Sequence, residues 1–581
     1  MKRFIIILFL LCGLVGKAQD KNYYVSQTDG DDGDSGLTPA LAWKTITKLE
    51  DVTFQPDDSI FFNRGDEWKE SFEPKGSGTK NNKIVITAYG SGEKPIITGR
   101  DTISGWSLTA SWTESSSNVW YITVGSLVSK FRIWINGTEQ RKAEYVTLID
   151  ATDTFADSAE IDRLYLYCVG NPASVYSGGL IESGWVRSTP LYFNTVNHYE
   201  VDHLDIRGGY YSVRLRASDG IIIDNCDIGN SSTQFGLLGE RIADPVNQSD
   251  SCVVRNCLFD TDNSLSSDWE VKYTENGLEV YGGNDWDIFG NTFKNWGHAS
   301  IYILTGTTAT NHRINIYDNY MTAPDISYGR GLNVDCIGSN CQDLKIYRNL
   351  IKDTPTTNQI NNYGTEFYYN IINNVTDVSF RPGYGAGILI SGYGGNTLPQ
   401  GMKFYNNVFA NCNDQGIYMS WYAGRNSQHD NEFVNNIFYN NNGYAIHVMS
   451  SDSIYNNTFK NNIAYDYRGN DLIYYRGLLL RVSAFNSADN KGDIISDNNG
   501  DSPIFKTGTF EPSVLSTNVI NKGLDVGLAS DYKENPIVGL PEIGAYEWYE
   551  GITVSGEVFG ISSDSTFFLK NSNEQFLIYS K

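Results

Sequence analysis

Methionine is scarce in this chain, five in 581 residues, and helix-forming periodicity is close to absent. That excludes helical bundles, whose helices need apolar residues at three- and four-residue spacing. Positive charge is also short: 44 Lys and Arg face 68 Asp and Glu, a net charge of -24. No basic stripe emerges, so no nucleic-acid partner is expected. Acidity of this kind serves solubility or a salty habitat and names no substrate. After the first 18 residues no long apolar run follows, so no membrane anchor is expected. Cysteine is sparse, and no Cys-x-x-Cys or Cys/His spacing points to zinc. No motif demands a metal or cofactor.

What is abundant is Gly (56), Tyr (38) and Asn, which suits short β-strands joined by tight turns. Nine asparagines share one context, a β-rich run followed by Asn and then apolar residues: Asn225, Asn256, Asn291, Asn319, Asn349, Asn370, Asn407, Asn436 and Asn457. They span 232 residues over eight intervals, a mean of 29. A motif at such a period marks a solenoid. Stacked Asn side chains can hydrogen-bond along a column. The expected fold is all-β, a parallel β-helix.

Lys2 and Arg3 precede an apolar run from Phe4 to Val15, with Gly16-Lys17-Ala18 behind it. This reads as a signal peptide cleaved near Ala18, giving a secreted or periplasmic protein. Of the seven remaining cysteines, Cys336 and Cys341 are the best disulfide candidates, while Cys226 and Cys257 should stack as small buried side chains. Residues 19–104 read as an N-terminal cap and first coils, 105–190 as an inserted β-subdomain, 191–480 as the β-helix core, and 481–581 as C-terminal coils and a β tail. A monomer is expected. The Asp29-Gly30-Asp31-Asp32-Gly33-Asp34 loop could wrap a structural Ca²⁺, although a solvated turn is the favoured reading.

The opening YYVSQTDGDDGDSG…AWKTITKL, then PDDSIFFNRGDEW and NKIVITAYGSGEKPIITG, and the late NVINKGLDVGLASDY…LPEIGAYEW, resemble secreted right-handed parallel β-helix proteins of the pectate-lyase-like superfamily. That group includes polysaccharide lyases and glycoside hydrolases, so the resemblance implies a right-handed coil and a polysaccharide partner. The polygalacturonase Asp-Asp pair with a following Gly-His-Gly is missing. So are the clustered carboxylates and downstream Arg of calcium-dependent pectate lyases. No active residue carries over, and the site has to be read from the coils.

The strand before each ladder Asn aligns across coils: Val213–Arg216, Leu237–Glu240, Leu278–Tyr281, Ile301–Leu304, Leu332–Asp335, Ile388–Ser391, Ile417–Ser420 and Ile446–Met449. Their first and third members are apolar almost throughout and should fill the tube. Second and fourth members then point outward. Those columns carry Arg214, Arg216, Glu240, Glu279, Tyr281, Tyr302, Asn333, Asp335, Tyr418 and His447, with Leu238, Leu304, Leu389, Ser391, Ser420 and Met449 among them and no Lys. Tyrosines and Arg suit sugar rings and anionic groups, which favours a groove for an extended anionic polysaccharide. The bland alternative is an ordinary polar face.

Glu279, Asp335, Glu240 and His298 are the catalytic candidates. Coil spacing and strand rise put the Cα atoms of Glu240 and Glu279 roughly 8 Å apart, and those of Glu279 and Asp335 near 12 Å. Paired carboxyls about 5–5.5 Å apart suit a retaining glycosidase and about 6.5–9.5 Å an inverting one. For any of these acids a salt bridge to Arg214, Arg216 or Arg330 is the competing role. Arg330, Tyr302, Asn333, Arg214, Tyr281, Tyr418, His447 and Trp421 are the expected substrate contacts. Glycines on both sides of Arg330 would let the backbone approach a ligand, and Trp296 is a second possible sugar platform. The expectation is a glycoside hydrolase. The rival is β-elimination, with Tyr302 or His298 as base and Arg330 and Asn333 neutralising a uronate. A non-catalytic carbohydrate binder is the third reading.

Overall fold

The computed structural model describes residues 20–124, 132–140, 143, 146–151, 155–158, 162–184, 189–229, 235–242, 247–261, 276–306, 308–326, 328–376, 385–391, 399–420, 427–469, 472–488, 492–537, 539–547, 558–561, 566–570 and 576–580. The apolar run at the N-terminus and Trp421 lie outside them.

A typical coil carries Tyr211–Arg216, turns into Ile222–Asp224, bends again into Asp227–Ile228 and returns one level on at Phe235–Glu240. Repetition stacks these pieces into three long sheets, one of fourteen strands and two of twelve among the described residues. The fourteen-stranded sheet starts at Asn22–Val25 and ends at Ile494–Ser496, so coiling begins well before residue 191. Each strand is short because a corner follows within a few residues. Long-range parallel pairing therefore holds the fold, and each coil is stable only on its neighbours.

The tube is filled as the alternation expects. Val213, Leu237, Leu278, Ile301 and Leu332 are fully buried, as are Leu215, Val280, Ile303 and Val334. Each such side chain contributes about 1.5–3 kcal/mol by leaving water. Gly239 breaks the size pattern because Trp286 fills its place: a Cβ there would sit 2.7 Å from the indole ring.

The asparagine ladder is real, but its register needs correcting. Asn291, Asn319, Asn349, Asn370, Asn407 and Asn436 form one buried column at the corner between two sheets, continued by Asn462 and Asn498. Asn225 and Asn256 sit one residue earlier. They hold the left-handed turn position, φ 48° and 55°, as Gly290 does in the next coil. Cys226 and Cys257 occupy the buried ladder places there, and the Cys257 amide donates to Asn291 Oδ1. Asn457 belongs to the neighbouring corner, in a column with Asn431 and Asp493.

Between Arg100 and Gly184 the chain leaves the coils and builds two antiparallel four-stranded sheets. They have a separate core of Trp106, Trp112, Ile133, Phe155, Leu164 and Ile181. Ile96–Thr98 pairs directly with Asp205–Arg207, so the stack resumes across this excursion. Arg132 ties it to the coils through the Thr261 carbonyl, 2.9 Å. Residues near the other end fold back over the ladder corner: Val519, Ile543 and Ala545 pack on Tyr369, Val408 and Ile437. Beyond them Val558–Ile561, Thr566–Lys570 and Phe576–Ser580 form an antiparallel three-stranded sheet. Cys336 and Cys341 form a disulfide. In the acidic N-terminal loop, Asp32 accepts from the Lys44 and Thr45 amides and Asp31 from the Gly33 amide, which is turn-capping chemistry.

Candidate active site

One of the twelve-stranded sheets carries the outward columns. Its register pairs Arg214 with Leu238, Leu238 with Glu279, Glu279 with Tyr302 and Tyr302 with Asn333. The second column runs Arg216, Glu240, Tyr281, Leu304, Asp335. This is the alignment read from the sequence. One strand was missing from that reading, however. Asn358–Asn361 stacks on Asn333–Asp335 and adds Gln359 and Asn361 to the columns before Leu389. The strands also begin earlier, so that Asn276, Ala299 and Arg330 form a third column in register with Tyr211 and Phe235.

The glycines beside Arg330 serve the fold rather than a ligand. A Cβ on Gly329 would meet the Trp296 carbonyl at 2.4 Å, and one on Gly331 would meet Ile351 at 2.6 Å. Trp296 is likewise no sugar platform. It is fully buried in the tube, its indole donating to the Phe259 carbonyl.

Three columns over four adjacent strands bring the chemistry together. Asn276 donates through Nδ2 to Glu279 Oε2, 2.7 Å, and its Oδ1 faces His298 Nδ1 at 2.9 Å. The Asn276 nitrogen faces Glu279 Oε2, which accepts whether or not the other carboxyl oxygen carries a proton. The Asn276 oxygen then fixes the His298 proton on Nδ1. His298 Nε2 is left as an acceptor toward Asn333 Nδ2, 3.4 Å away. Crowding by neighbours, together with the Arg330 charge, pushes the imidazole pKa down to about 3, so the ring is neutral.

Asp335 collects three donors: Gln359 Nε2 at 3.0 Å, Asn361 Nδ2 at 2.9 Å and the Tyr302 hydroxyl at 3.4 Å. They orient its carboxylate toward Tyr302, which stands between Asp335 and Glu279. Burial and these two acids raise the Tyr302 pKa well above the usual phenol value. The phenol therefore donates hydrogen bonds and makes a poor base. Its ring meets that of His298 edge-on, centroids 5.2 Å apart.

Arg330 is 7% exposed, yet no carboxylate pairs with it among the described residues. Nη1 donates to Gln359 Oε1 and Nη2 to the Tyr328 hydroxyl, both neutral acceptors. Its Nε and the Oδ1 of Asn333 find no hydrogen-bond partner among the described residues. A buried guanidinium without a counter-ion is costly, and this cost is paid at the surface where a ligand could relieve it.

The remaining expected residues fall on either side. Glu240 bonds Arg214 at 2.5 Å and lies 3.5 Å from Arg216. Arg214 also lies over the Tyr192 and Tyr211 rings, at 5.1 and 4.9 Å. The Glu240 carboxylate is thus a counter-charge held by two guanidiniums. Tyr281 sits half-buried under Arg241, 5.6 Å from ring centre to guanidinium. Tyr418 and His447 lie three and four strands beyond Asn333, ring centroids 4.5 Å apart. Asn276, Gln359 and Asn361 were not anticipated. The amides on one strand face, at outward positions, were the available signal.

A family model described as the right handed beta helix region matches residues 245–459. Over 81 residues, 13% of this chain, the protein is 33% identical to a lacto-N-biosidase of Bifidobacterium longum subsp. longum, and that match covers 5% of the relative's length. Among solved structures, XylC in complex with xylose is similar over 91% of this chain and 98% of its own, at 13% identity and a TM-score of 0.54. A pectate lyase, Pel9A, is similar over 92% and 97%, at 11% identity and a TM-score of 0.40. The fold is a right-handed parallel β-helix.

Proposed function

We propose that this right-handed parallel β-helix hydrolyses glycosidic bonds of an anionic polysaccharide laid along the sheet of Glu279, Tyr302 and Asp335. The observation that carries the reading is the placement of two outward acids on either side of Tyr302, inside a network of buried polar side chains. With two coils and two strand positions between them, their Cα atoms are about 12 Å apart. An inverting pair requires the side chains to bring the carboxyls to about 6.5–9.5 Å.

In this reading Glu279 donates a proton to the glycosidic oxygen as the C–O bond breaks. Asp335, aimed by Gln359 and Asn361, takes a proton from the water whose oxygen bonds to the anomeric carbon. Arg330 receives the acidic group of the sugar, whether carboxylate or sulfate, and Asn333 Oδ1 a sugar hydroxyl. No cofactor takes part. The Cys336–Cys341 disulfide supports an oxidising location, secreted or periplasmic.

One observation favours a second reading, β-elimination. His298 holds Nε2 unprotonated beside Arg330, the pairing of base and carboxylate neutraliser that elimination needs, although its lowered pKa makes the imidazole a weak base. Screening purified algal and plant polysaccharides separates the two. Hydrolysis releases reducing ends with no rise in the ultraviolet absorbance of an unsaturated uronate, whereas elimination produces both. Neither signal on any uronic or sulfated polysaccharide would instead support a binding protein.

A further inference from the structure

The same sheet carries a second cluster, remote from the acids. His447 lies against Tyr418, meets Tyr474 at 4.6 Å and Tyr444 at 5.5 Å, while Tyr444 and Tyr474 are 5.4 Å apart. His447 pairs in register with Tyr418 on one side and Tyr474 on the other, so three consecutive strands present rings at one outward position. Tyr444, His447 and Tyr474 are half-buried and keep part of their surface in solvent. In a packed interior such rings would be covered, and on a plain polar face they would be absent.

Polar groups border these rings. Gln415 donates through Nε2 to His447 Nδ1, 3.3 Å, which leaves the His447 proton on Nε2. Gln415 is 5% exposed, and its Oε1 has no hydrogen-bond partner among the described residues. An acceptor left open beside ring faces and an N–H donor is complementary to a sugar, which offers C–H faces and hydroxyls together. Desolvation alone, with no charged neighbour contributing, pushes the His447 pKa down to about 4. The cluster is therefore uncharged, unlike the surroundings of Arg330.

We propose that Gln415, Tyr444, His447 and Tyr474 form a second carbohydrate site, a platform for uncharged faces of sugar rings in a chain that also reaches the acids. His447 lies four strands from Asn333, about 19 Å at the usual strand spacing. A short oligosaccharide at Glu279 does not reach the platform, whereas a polymer does. The platform thus selects for chain length. Binding there does not require that Glu279 and Asp335 cleave anything.

The test is electrophoresis of the full chain in native gels containing xylan, polygalacturonate or carrageenan. Wild-type protein and Glu279→Gln should be retarded alike in at least one gel. The His447→Ala/Tyr474→Ala double variant should lose roughly tenfold in affinity, the worth of two stacked rings. Tyr474→Phe, which keeps the ring face, should bind as the wild type does and controls for folding. The KM of the double variant for polymer should rise. Equal retardation of wild type and the double variant, or no retardation of wild type in any of the three gels, would overturn the proposal. Since Glu279→Gln still binds, failure of this platform and failure of the cleavage reading show up in different lanes.

Discussion

Two buried polar arrays run along this solenoid, and they are built on opposite terms. At the corner, Asn349 donates to the Ile316 carbonyl and to Asn370 Oδ1, and its own Oδ1 receives the Asn319 amide and side chain. Asn319, Asn370 and Asn407 repeat this pattern. On the sheet face, Arg330 and Asn333 are just as hidden from water but keep open valences and, for Arg330, no counter-charge among the described residues. A satisfied column rigidifies, whereas an unsatisfied one leaves a cost that a bound ligand or water would offset.

Substitutions should therefore split cleanly between the two arrays. The largest effect belongs to the acids: Glu279→Gln and Asp335→Asn should each lower kcat/KM by about 10²–10⁴-fold while the thermal midpoint holds. Arg330→Met should come next. It should weaken an acidic substrate by about 2 kcal/mol or more, seen as a raised KM, yet leave the fold as stable or more so because an unpaired buried charge is gone. Asn349→Ala should do the reverse. Loss of its amide strands buried partners and should cost about 1–3 kcal/mol in denaturant titration, with kcat unchanged below the transition.

A pH titration sharpens the contrast further. His298 has its pKa lowered to about 3 in the folded protein against 6.5 in the unfolded chain. Between those values the unfolded state binds the extra proton, so stability is full above about 6.5 and is lost as pH falls toward 3. His298→Gln should flatten that slope in urea midpoints measured across the interval. The smallest effect is expected at Glu240. Its partly exposed bridge to Arg214 and Arg216 should contribute no more than about 1 kcal/mol, and Glu240→Gln should cleave within a few-fold of wild type.

Much of this was readable from residues alone, for a definite reason. Alternation of apolar and polar positions sets strand register, and Leu278–Tyr281, Ile301–Leu304 and Leu332–Asp335 alternate except at the outward Leu304. Asn358–Asn361 escaped because Asn358 occupies an inner position, where it donates to the Gly387 carbonyl instead of packing as Leu does. Asn276 escaped because Gly277 and Leu278 both turn toward the tube, which interrupts the two-residue period. The ladder slipped by one at Asn225 and Asn256 because Asn suits both a left-handed turn and a buried column. Sequence pattern distinguishes inside from outside, but not which buried amide still lacks a partner.

Product analysis in ¹⁸O-labelled water tests the central claim most directly. Incubated with a polysaccharide on which reducing ends appear, the protein should place label at each new end and leave every sugar ring saturated, with the labelled ends lost in Glu279→Gln. An unlabelled reducing end opposite an unsaturated uronate, formed undiminished by Glu279→Gln, would contradict it.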